Sequence, residues 1–143
     1  MITVKEITTP EELETAFGIR QLVFVQEQQV DPAEEYDEFE TTSKHYLALD
    51  GDKAVGTARW RRTKNGVKLE RFAVLKEYRS SGAGSALLTR LVSDVSKDFD
   101  AKIYLHAQWQ VIPFYEKYGF ETEGPEFEEA GIRHKKMNLK MNI

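Results

Sequence analysis

Hydrophobic and polar positions alternate with two different periods along this chain, and the changes of period divide it into short elements. Residues 1–7 alternate loosely and predict a first strand. Thr9 and Pro10 then place a capping hydroxyl before a proline, and Glu12 follows three residues after the cap, which predicts the start of a helix. The face of that helix repeats every three or four residues and is apolar except for one arginine; its members are Leu13, Ala16, Phe17, Arg20 and Phe24.

The middle of the chain predicts two successive hairpins. Residues 45–50 and 53–62 have strand-like patterns on either side of Gly51, which supplies the turn. The Asn65-Gly66 pair favours a tight type I′ turn, so the second strand should pair antiparallel with residues 68–74.

The C-terminal half predicts a long helix, a strand, a short helix and further extended structure. The stripe of the long helix consists of Leu87, Leu88, Leu91, Val92, Val95 and Phe99. Residues 102–108 are strand-like, residues 112–117 predict a short helix, and the extended structure from Phe120 is broken at Gly124-Pro125 and at Gly131. The order β, α, β, β, β, α, β, α, β, β predicts an α+β (mixed α/β) fold, with a sheet covered by helices.

Composition excludes several classes of function. The 143 residues predict a single domain, and no apolar run approaches the roughly 18 to 20 residues that span a bilayer. The first residues lack a secretory signal, so we expect a cytoplasmic protein without a membrane partner. The absence of cysteine excludes disulfides and thiolate nucleophiles, and we expect no metal site. A net charge of -4 argues against nucleic-acid binding and is easier to reconcile with a cationic substrate.

Two glycines, Gly82 and Gly84, stand between a predicted strand and the long helix. Backbone amides at such a helix start bind phosphate groups well. Three common motifs do not fit: no Lys-Ser or Lys-Thr follows the glycines, Leu87 stands where a dinucleotide fingerprint needs glycine, and Ser85 is not between spaced glycines as in a nucleophile elbow. Taken alone, the glycines could simply form a tight connection.

The pattern that does fit is Arg79-Ser80-Ser81-Gly82-Ala83-Gly84, an R-x-x-G-x-G/A turn after RFAV. With the strand HAQ at 106–108 and the string IPFYEKYGF at 112–120, the chain resembles the GNAT superfamily of acetyl-CoA-dependent N-acetyltransferases. IRQLVFVQEQ and AGIRHKKM are similar to segments of a small bacterial subgroup. The resemblance implies one N-acetyltransferase domain over residues 1–143. It also implies a twisted, mostly antiparallel sheet of six to seven strands, with helices on both faces, splayed between the fourth and fifth strands.

The resemblance implies acetyl-CoA as the cofactor. The segment from Arg79 to Ser85, called the glycine turn below, would wrap the CoA pyrophosphate with its amides. The strand before it would pair with pantetheine, and the amide of Val74 would polarise the thioester carbonyl. The implied cofactor-binding residues are Phe72, Ala73, Val74, Arg79, Ser80, Ser81, Gly82, Ala83, Gly84, Ser85, Gln108, Phe114 and Tyr115.

Acetyl transfer to a primary amine requires an acid and a base. Tyr115 matches the position of the family's tyrosine and is our candidate acid, although with Phe114 and Tyr118 it could instead form an aromatic face packed on the sheet. With no cysteine and no activated serine, we expect direct transfer without an acyl-enzyme.

The base stays open between four residues. Glu70 lies where many family members place a glutamate acting through water, and strand alternation predicts that it shares a face with Phe72 and Val74. The other candidates are Glu27, His106 and His134. His45, at the start of a strand, is expected to be structural.

Residues 31–40 (DPAEEYDEFE), called the acidic loop below, belong to a polar stretch over residues 26–44 that predicts a long loop with at most a short helical turn. A run of charges usually forms a solvated loop, which is the interpretation that we favour. Alternatively, its carboxylates line the acceptor cleft and attract a protonated amine.

Two other functions stay open. Arg20, Phe24, Arg59 and the DEFE run also resemble acyl-homoserine-lactone synthases, although this chain is shorter and lacks their tryptophan-rich N-terminal region. The second is a CoA-binding regulatory module without turnover. Homodimers are common in the superfamily, so a homodimer is a further option.

Overall fold

A computed structural model describes residues 1–97 and 102–140 of the chain. The strands are β1 (Ile2–Glu6), β2 (Lys44–Asp50), β3 (Lys53–Thr63), β4 (Gly66–Val74), β5 (Ile103–Gln108), β6 (Phe120–Glu129) and β7 (Ile132–Leu139). The helices are α1 (Pro10–Arg20), which continues as a π-helix over Gln21–Glu27, α2 (Pro32–Glu35), α3 (Ala83–Ser96) and α4 (Ile112–Glu116), with 3₁₀ turns at Lys76–Tyr78 and Trp109–Val111. The predicted order of elements is confirmed. Phe99 of the predicted stripe lies outside the described residues.

The seven strands form one sheet in the order β1-β2-β3-β4-β5-β7-β6, and every neighbouring pair is antiparallel except β4 and β5. The parallel pair is short: Val67 lies opposite Ile103, and Leu69 lies opposite Leu105. Beyond Leu69 and Leu105 the two strands have no register and separate. The predicted fold class is therefore confirmed, including the splay between the fourth and fifth strands.

Helices cover both faces of the sheet, as predicted. α1 begins with the predicted capping box: the Thr9 hydroxyl accepts from the Glu12 amide, and the Glu12 carboxylate accepts from the Thr9 amide, each at 3.2 Å. α3 packs its stripe on one face, where Leu87, Leu91 and Val95 are almost fully buried. α1 packs on the opposite face in a second apolar cluster. None of the described helices is long and apolar enough to cross a membrane.

A β-bulge in β4 reverses the expected alternation of its side chains. Arg71 has a φ of 59°, and two residues of β4 stand opposite one of β3, between the pairs Arg59–Glu70 and Thr57–Ala73. Phe72 and Val74 consequently pack in the core beneath α3, whereas Glu70 pairs with Arg59 on the α1 side. The prediction that Glu70 shares a face with Phe72 and Val74 was therefore wrong.

The Asn65-Gly66 turn joins β3 and β4 as predicted, but its geometry differs from type I′. Lys64 and Asn65 form the turn, and Asn65 does not have a positive φ. Gly66 has a φ of 133°, and an added Cβ would lie 2.2 Å from the Lys102 carbonyl oxygen. Glycine is needed here because another backbone segment approaches closely.

The Gly124-Pro125 pair does not end the strand as predicted. β6 continues through it with a shift of register between Glu123 and Phe127. Because β6 is an edge strand, a proline there removes no ladder hydrogen bond inside the sheet. The break at Gly131 is confirmed, since Ala130 and Gly131 have positive φ values in the turn to β7.

Candidate active site in the cleft between β4 and β5

A cleft of about 1200 Å³ opens where β4 and β5 separate. Its walls come from the π-helical segment after α1, from the acidic loop, β3, β4, the glycine turn, β5, α4 and the turn between β6 and β7. The structure brings all the candidate catalytic residues to this cleft: Glu27, Glu70, His106, Tyr115 and His134. The residues expected to bind the cofactor also line it, except Ser81 and Ala83. Ala83 is buried in the core, and the Ser81 hydroxyl accepts from its amide at 3.3 Å.

The glycine turn leads directly into α3. Gly82 caps this helix with a φ of 92° and offers no side chain to its first-turn amides. An added Cβ on Gly82 would meet open space, so the positive φ alone requires glycine. On Gly84 an added Cβ would lie 3.7 Å from the Phe114 ring and 3.9 Å from a Val74 methyl group, which are ordinary contacts. The fold itself does not require glycine at position 84, whereas a ligand lying close to the backbone would.

Arg79 ties the glycine turn to the opposite wall of the cleft. It donates to the Val74 carbonyl from Nε at 3.2 Å and to Glu27 Oε1 from Nη2 at 2.7 Å. The hydrogen bond from Arg79 holds the pKa of Glu27 below its usual value. Glu27 is therefore an ionised partner of Arg79 rather than a free proton acceptor.

Tyr115 is buried in an aromatic cluster at the base of the cleft. Its ring centroid lies 5.2 Å from that of Phe114 and 6.0 Å from those of Phe72 and Phe120. Within residues 1–97 and 102–140 its hydroxyl has no hydrogen-bond partner. Burial raises the pKa of Tyr115, so the phenol stays protonated at neutral pH. The residue thus packs in the predicted aromatic face and also lines the cleft.

Tyr118 has a contact that its sequence position did not predict. Its hydroxyl hydrogen-bonds to Ser85 Oγ in the first turn of α3. The half-exposed ring also lies 5.3 Å from that of Phe114. The end of α4 is thereby linked to the glycine turn.

Glu70 lies in a concentrated group of positive charges. Its carboxylate pairs with Arg61, with Arg59 at 3.2 Å, with Arg71 at 3.6 Å and with Lys68 at 3.8 Å. Burial opposes its ionisation, but the charges of Arg59, Lys68 and Arg61 outweigh burial and lower its pKa. A carboxylate held in this way is a weak proton acceptor at neutral pH.

His106 and His134 meet at one carboxylate that sequence reasoning missed. His106 Nδ1 lies 3.3 Å from Glu129 Oε1, and His134 Nε2 lies 3.7 Å from Glu129 Oε2. The hydrogen bond with His106 lowers the pKa of Glu129 to about 2 despite partial burial. His134 Nδ1 donates to the Ile132 carbonyl at 2.7 Å. In the sequence, Glu129 is one of several glutamates before a turn, and no local signal separates it from them.

Two glutamines bridge the cleft. Gln108 on β5 donates from Nε2 to Gln28 Oε1 at 2.9 Å, and Gln28 donates back to Gln108 at 3.3 Å. Gln110 also donates to Gln108, at 2.7 Å. Gln108 thus joins β5 to the end of the π-helical segment.

The acidic loop is not the solvated loop that we favoured. Arg20 and Arg59, which are 1% and 0% exposed, draw three of its carboxylates inward. Arg20 pairs with Glu35 at 2.9 Å and Glu40 at 2.8 Å, and Arg59 pairs with Asp37 at 2.7 Å. Glu34 and Glu38 are exposed. Glu34, Glu35 and Asp37 line the cleft, which agrees with the alternative interpretation that the loop forms part of its wall. His45 is structural as expected, because its Nε2 donates to the Glu40 carbonyl at 2.7 Å.

Comparison with known proteins places this geometry in a family. The model of the acetyltransferase (GNAT) domain matches residues 9–141. The chain is 42% identical over 128 residues to YjcF, an uncharacterised N-acetyltransferase of Bacillus subtilis (strain 168), covering 89% of this chain and 91% of YjcF.

Solved structures agree with the sequence comparison. Escherichia coli ElaA superposes with a TM-score of 0.87 at 25% identity, over 98% of this chain and all of ElaA. A GNAT acetyltransferase of Elizabethkingia anophelis, solved with acetyl-CoA bound, has the same fold with a TM-score of 0.72 at 20% identity, over 98% of each chain. The chain therefore belongs to the GNAT family of acetyltransferases.

Proposed function

We propose that this protein is an N-acetyltransferase that moves the acetyl group of acetyl-CoA directly to a primary amine. The observation that carries the proposal is the cleft at the splay of β4 and β5, since it joins the glycine turn, Tyr115 and the two histidines. Membership of the GNAT family supports acyl transfer, and the Elizabethkingia anophelis protein with this fold binds acetyl-CoA.

The donor would lie along the free edge of β4. In the described part of the chain, β4 has no strand partner on its β5 side beyond Leu69, so an extended pantetheine chain can take that place. The first-turn amides of α3, at Gly84 and Ser85, would bind the pyrophosphate at the positive end of the helix. Val74 would lie near the thioester, with its carbonyl already held by Arg79.

The acid and the base would act from opposite faces of the sheet. Tyr115 packs against Phe72 on the α3 side, whereas His106 lies on the other face of β5 from Leu105 and Ala107, which join the core beneath α3. As the amine nitrogen bonds to the thioester carbon, its proton passes to Nε2 of His106. The Tyr115 hydroxyl would donate its proton to the thiolate that leaves as the C–S bond breaks.

We assign the base to His106 because its competitors are occupied. Glu70 and Glu27 have lowered pKa values and are held ionised by neighbouring cations. His134 donates from Nδ1 to a backbone carbonyl, its Nε2 faces the Glu129 carboxylate at 3.7 Å, and its side chain is only 8% exposed, whereas that of His106 is 26% exposed. A neutral His106 that donates from Nδ1 to Glu129 keeps a free electron pair on Nε2. Glu129 would thus position the imidazole.

The test is a screen of amines with acetyl-CoA, monitored by thiol release and by mass spectrometry of the product. We expect an acetylated amine. A lactone would support the homoserine-lactone synthase alternative, and tight acetyl-CoA binding without thiol release from any amine would support a regulatory module. With an active amine, His106→Gln should reduce kcat/KM roughly a hundredfold and flatten the acidic limb of the pH profile. An unchanged profile would show that the base is another residue.

A further inference from the structure

Arg61 presents two unused donors to the cleft from a fixed position. Its Nε donates to Glu70, and its guanidinium lies over the Phe39 ring, 3.9 Å from the ring centroid. In the part of the chain that the structure describes, neither Nη1 nor Nη2 donates to a protein acceptor. The side chain is only 17% exposed and lines the cleft. One edge and one face of the guanidinium are therefore occupied, while its terminal nitrogens stay available.

Lys68 stands beside Arg61 on the neighbouring strand. The two residues are direct partners in the β3–β4 register, so their side chains project from the same face of the sheet. Lys68 is 12% exposed, and its Nζ lies 3.8 Å from Glu70 Oε2, beyond hydrogen-bonding distance. Like Arg61, it lines the cleft.

The cations around Glu70 differ in how many ion pairs they form. Glu70 pairs with four cations, namely Arg59, Arg61, Lys68 and Arg71. Arg59 and Arg71 have further ion pairs with carboxylates of the acidic loop. Among the described residues, Arg61 has one ion-pair partner, Glu70, and Lys68 has only the long contact with Glu70 and an electrostatic interaction with Glu129, whose hydrogen bond goes to His106. Arg61 and Lys68 are thus less fully paired than Arg59 and Arg71.

The geometry points to an acceptor amine that also carries a carboxylate, bound by Arg61 and Lys68. A guanidinium fork binds a carboxylate through two parallel hydrogen bonds, and the adjacent ammonium adds a third donor. This inference rests on the proposed function and replaces the expectation of a cationic acceptor, because the inward carboxylates of the acidic loop are already paired with arginines.

The position of the pair suits an amine that reaches the proposed base. Lys68 lies opposite Tyr104 on β5, next to Leu69 and Leu105, where the cleft opens. His106 follows Tyr104 by two residues on the same face, which is about 7 Å along a strand. A carboxylate bound by Arg61 and Lys68, where β4 and β5 begin to separate, would leave the amine of the same molecule directed toward His106.

The experiment compares amines that differ only in the carboxylate. β-Alanine, leucine and 6-aminohexanoate are each paired with the corresponding amide, and phosphoethanolamine and spermidine represent a phosphate and a polyamine. Thiol release from acetyl-CoA gives kcat/KM for the wild type and for Arg61→Gln and Lys68→Gln, with Lys64→Gln as the matched control. Lys64 is an exposed residue in the turn of the same hairpin.

We expect the kcat/KM of at least one of the amino acids to exceed that of its amide roughly tenfold or more. The substitutions Arg61→Gln and Lys68→Gln should abolish this preference, and Lys64→Gln should retain it. Acetylation of amides, spermidine or phosphoethanolamine in preference to the carboxylates would overturn the inference and leave the proposed function standing. If no amine is acetylated, the proposed function is refuted, but the carboxylate site can still be tested. Calorimetric titration of the three amino acids into the protein in the presence of CoA then measures whether they bind. In that case, binding by the wild type but not by Arg61→Gln supports the carboxylate site, and absence of binding overturns it.

Discussion

Replacing Arg20 tests how much the buried ion pairs between this residue and the acidic loop contribute to the free energy of unfolding. This side chain is 1% exposed and donates to Glu35 from Nε at 2.9 Å and from Nη2 at 3.1 Å. It also donates to both carboxylate oxygens of Glu40 at 2.8 Å. The substitution Arg20→Met keeps a stem of similar length and removes the charge and all of these hydrogen bonds.

The size of the effect follows from what remains unpaired. The side chain of Glu35 is 2% exposed and would keep only Arg71, at 3.3 Å, whereas Glu40 would still have Arg59. Removing one partner of a buried ion pair costs roughly 3–5 kcal/mol. Because burial already raises the pKa of Glu35, the carboxyl can escape part of that cost by taking up a proton. We therefore expect a loss of about 3 kcal/mol in the free energy of unfolding.

Arg133→Met is the matched control, since it is the same substitution at an exposed ion pair. Arg133 and its partner Glu126 are 54% and 49% exposed, and such pairs contribute about 0–1 kcal/mol. Urea unfolding monitored by circular dichroism measures both variants, with an unchanged slope expected. The double variant Arg20→Met/Glu35→Gln should regain part of the loss, because the unpaired charge is gone. Equal losses in the two single variants would refute the reasoning from burial.

Three further predictions concern the phenol, the glycine turn and the acidic loop. Tyr115→Phe should lower kcat roughly tenfold or more and leave the KM for acetyl-CoA unchanged in steady-state kinetics; equal turnover would place the acid elsewhere. Gly84→Ala should unfold like the wild type in urea but raise the KM for acetyl-CoA, whereas Gly82→Ala should lose about 1 kcal/mol because of its positive φ; the reverse pattern would contradict the roles assigned. Burial opposes the ionisation of Asp37, but the hydrogen bond and charge of Arg59 lower its pKa from 3.8 to about 2. The ionised carboxylate therefore stabilises the fold above pH 4, and this stabilisation disappears as the pH falls toward 2. Asp37→Asn should therefore cost about 2 kcal/mol at pH 7 and progressively less below pH 4 in urea titrations, and a constant difference would be contrary to this account.

The local part of the fold could be predicted from the sequence. The Thr9 capping box, the hairpin turns and the leucine stripe of α3 act over a few residues, and each of them appears in the structure. The glycine turn belongs to the same class, because its strand, its positive φ at Gly82 and its helix are contiguous. The local pattern thus predicted the shape of this turn, whereas its proposed role in donor binding came from the resemblance to the GNAT family.

The acceptor side of the cleft could not be predicted, because its arrangement depends on contacts between distant segments. The bulge at Arg71 inverts the face of Glu70, and the acidic loop, more than 30 residues away in the sequence, accepts hydrogen bonds from Arg71. His106 meets Glu129 only because β5, β7 and β6 lie side by side in the sheet. The pattern of charges did not reveal which carboxylates would be paired and buried.

The sequence by itself determined the order of the elements, since capping, turn residues and hydrophobic periodicity act over a few residues, and its resemblance to the GNAT family singled out the glycine turn. Only the tertiary structure decided which charged side chains are buried and with which partners they pair. A buried arginine is costly unless a carboxylate pairs with it, and Glu35, Asp37 and Glu40 lie inward as the partners of Arg20 and Arg59. Within the described part of the chain, Arg61 and Lys68 line the cleft with Glu70 as their one ion-pair partner, and for this reason we propose amines that carry a carboxylate as the acceptors to test.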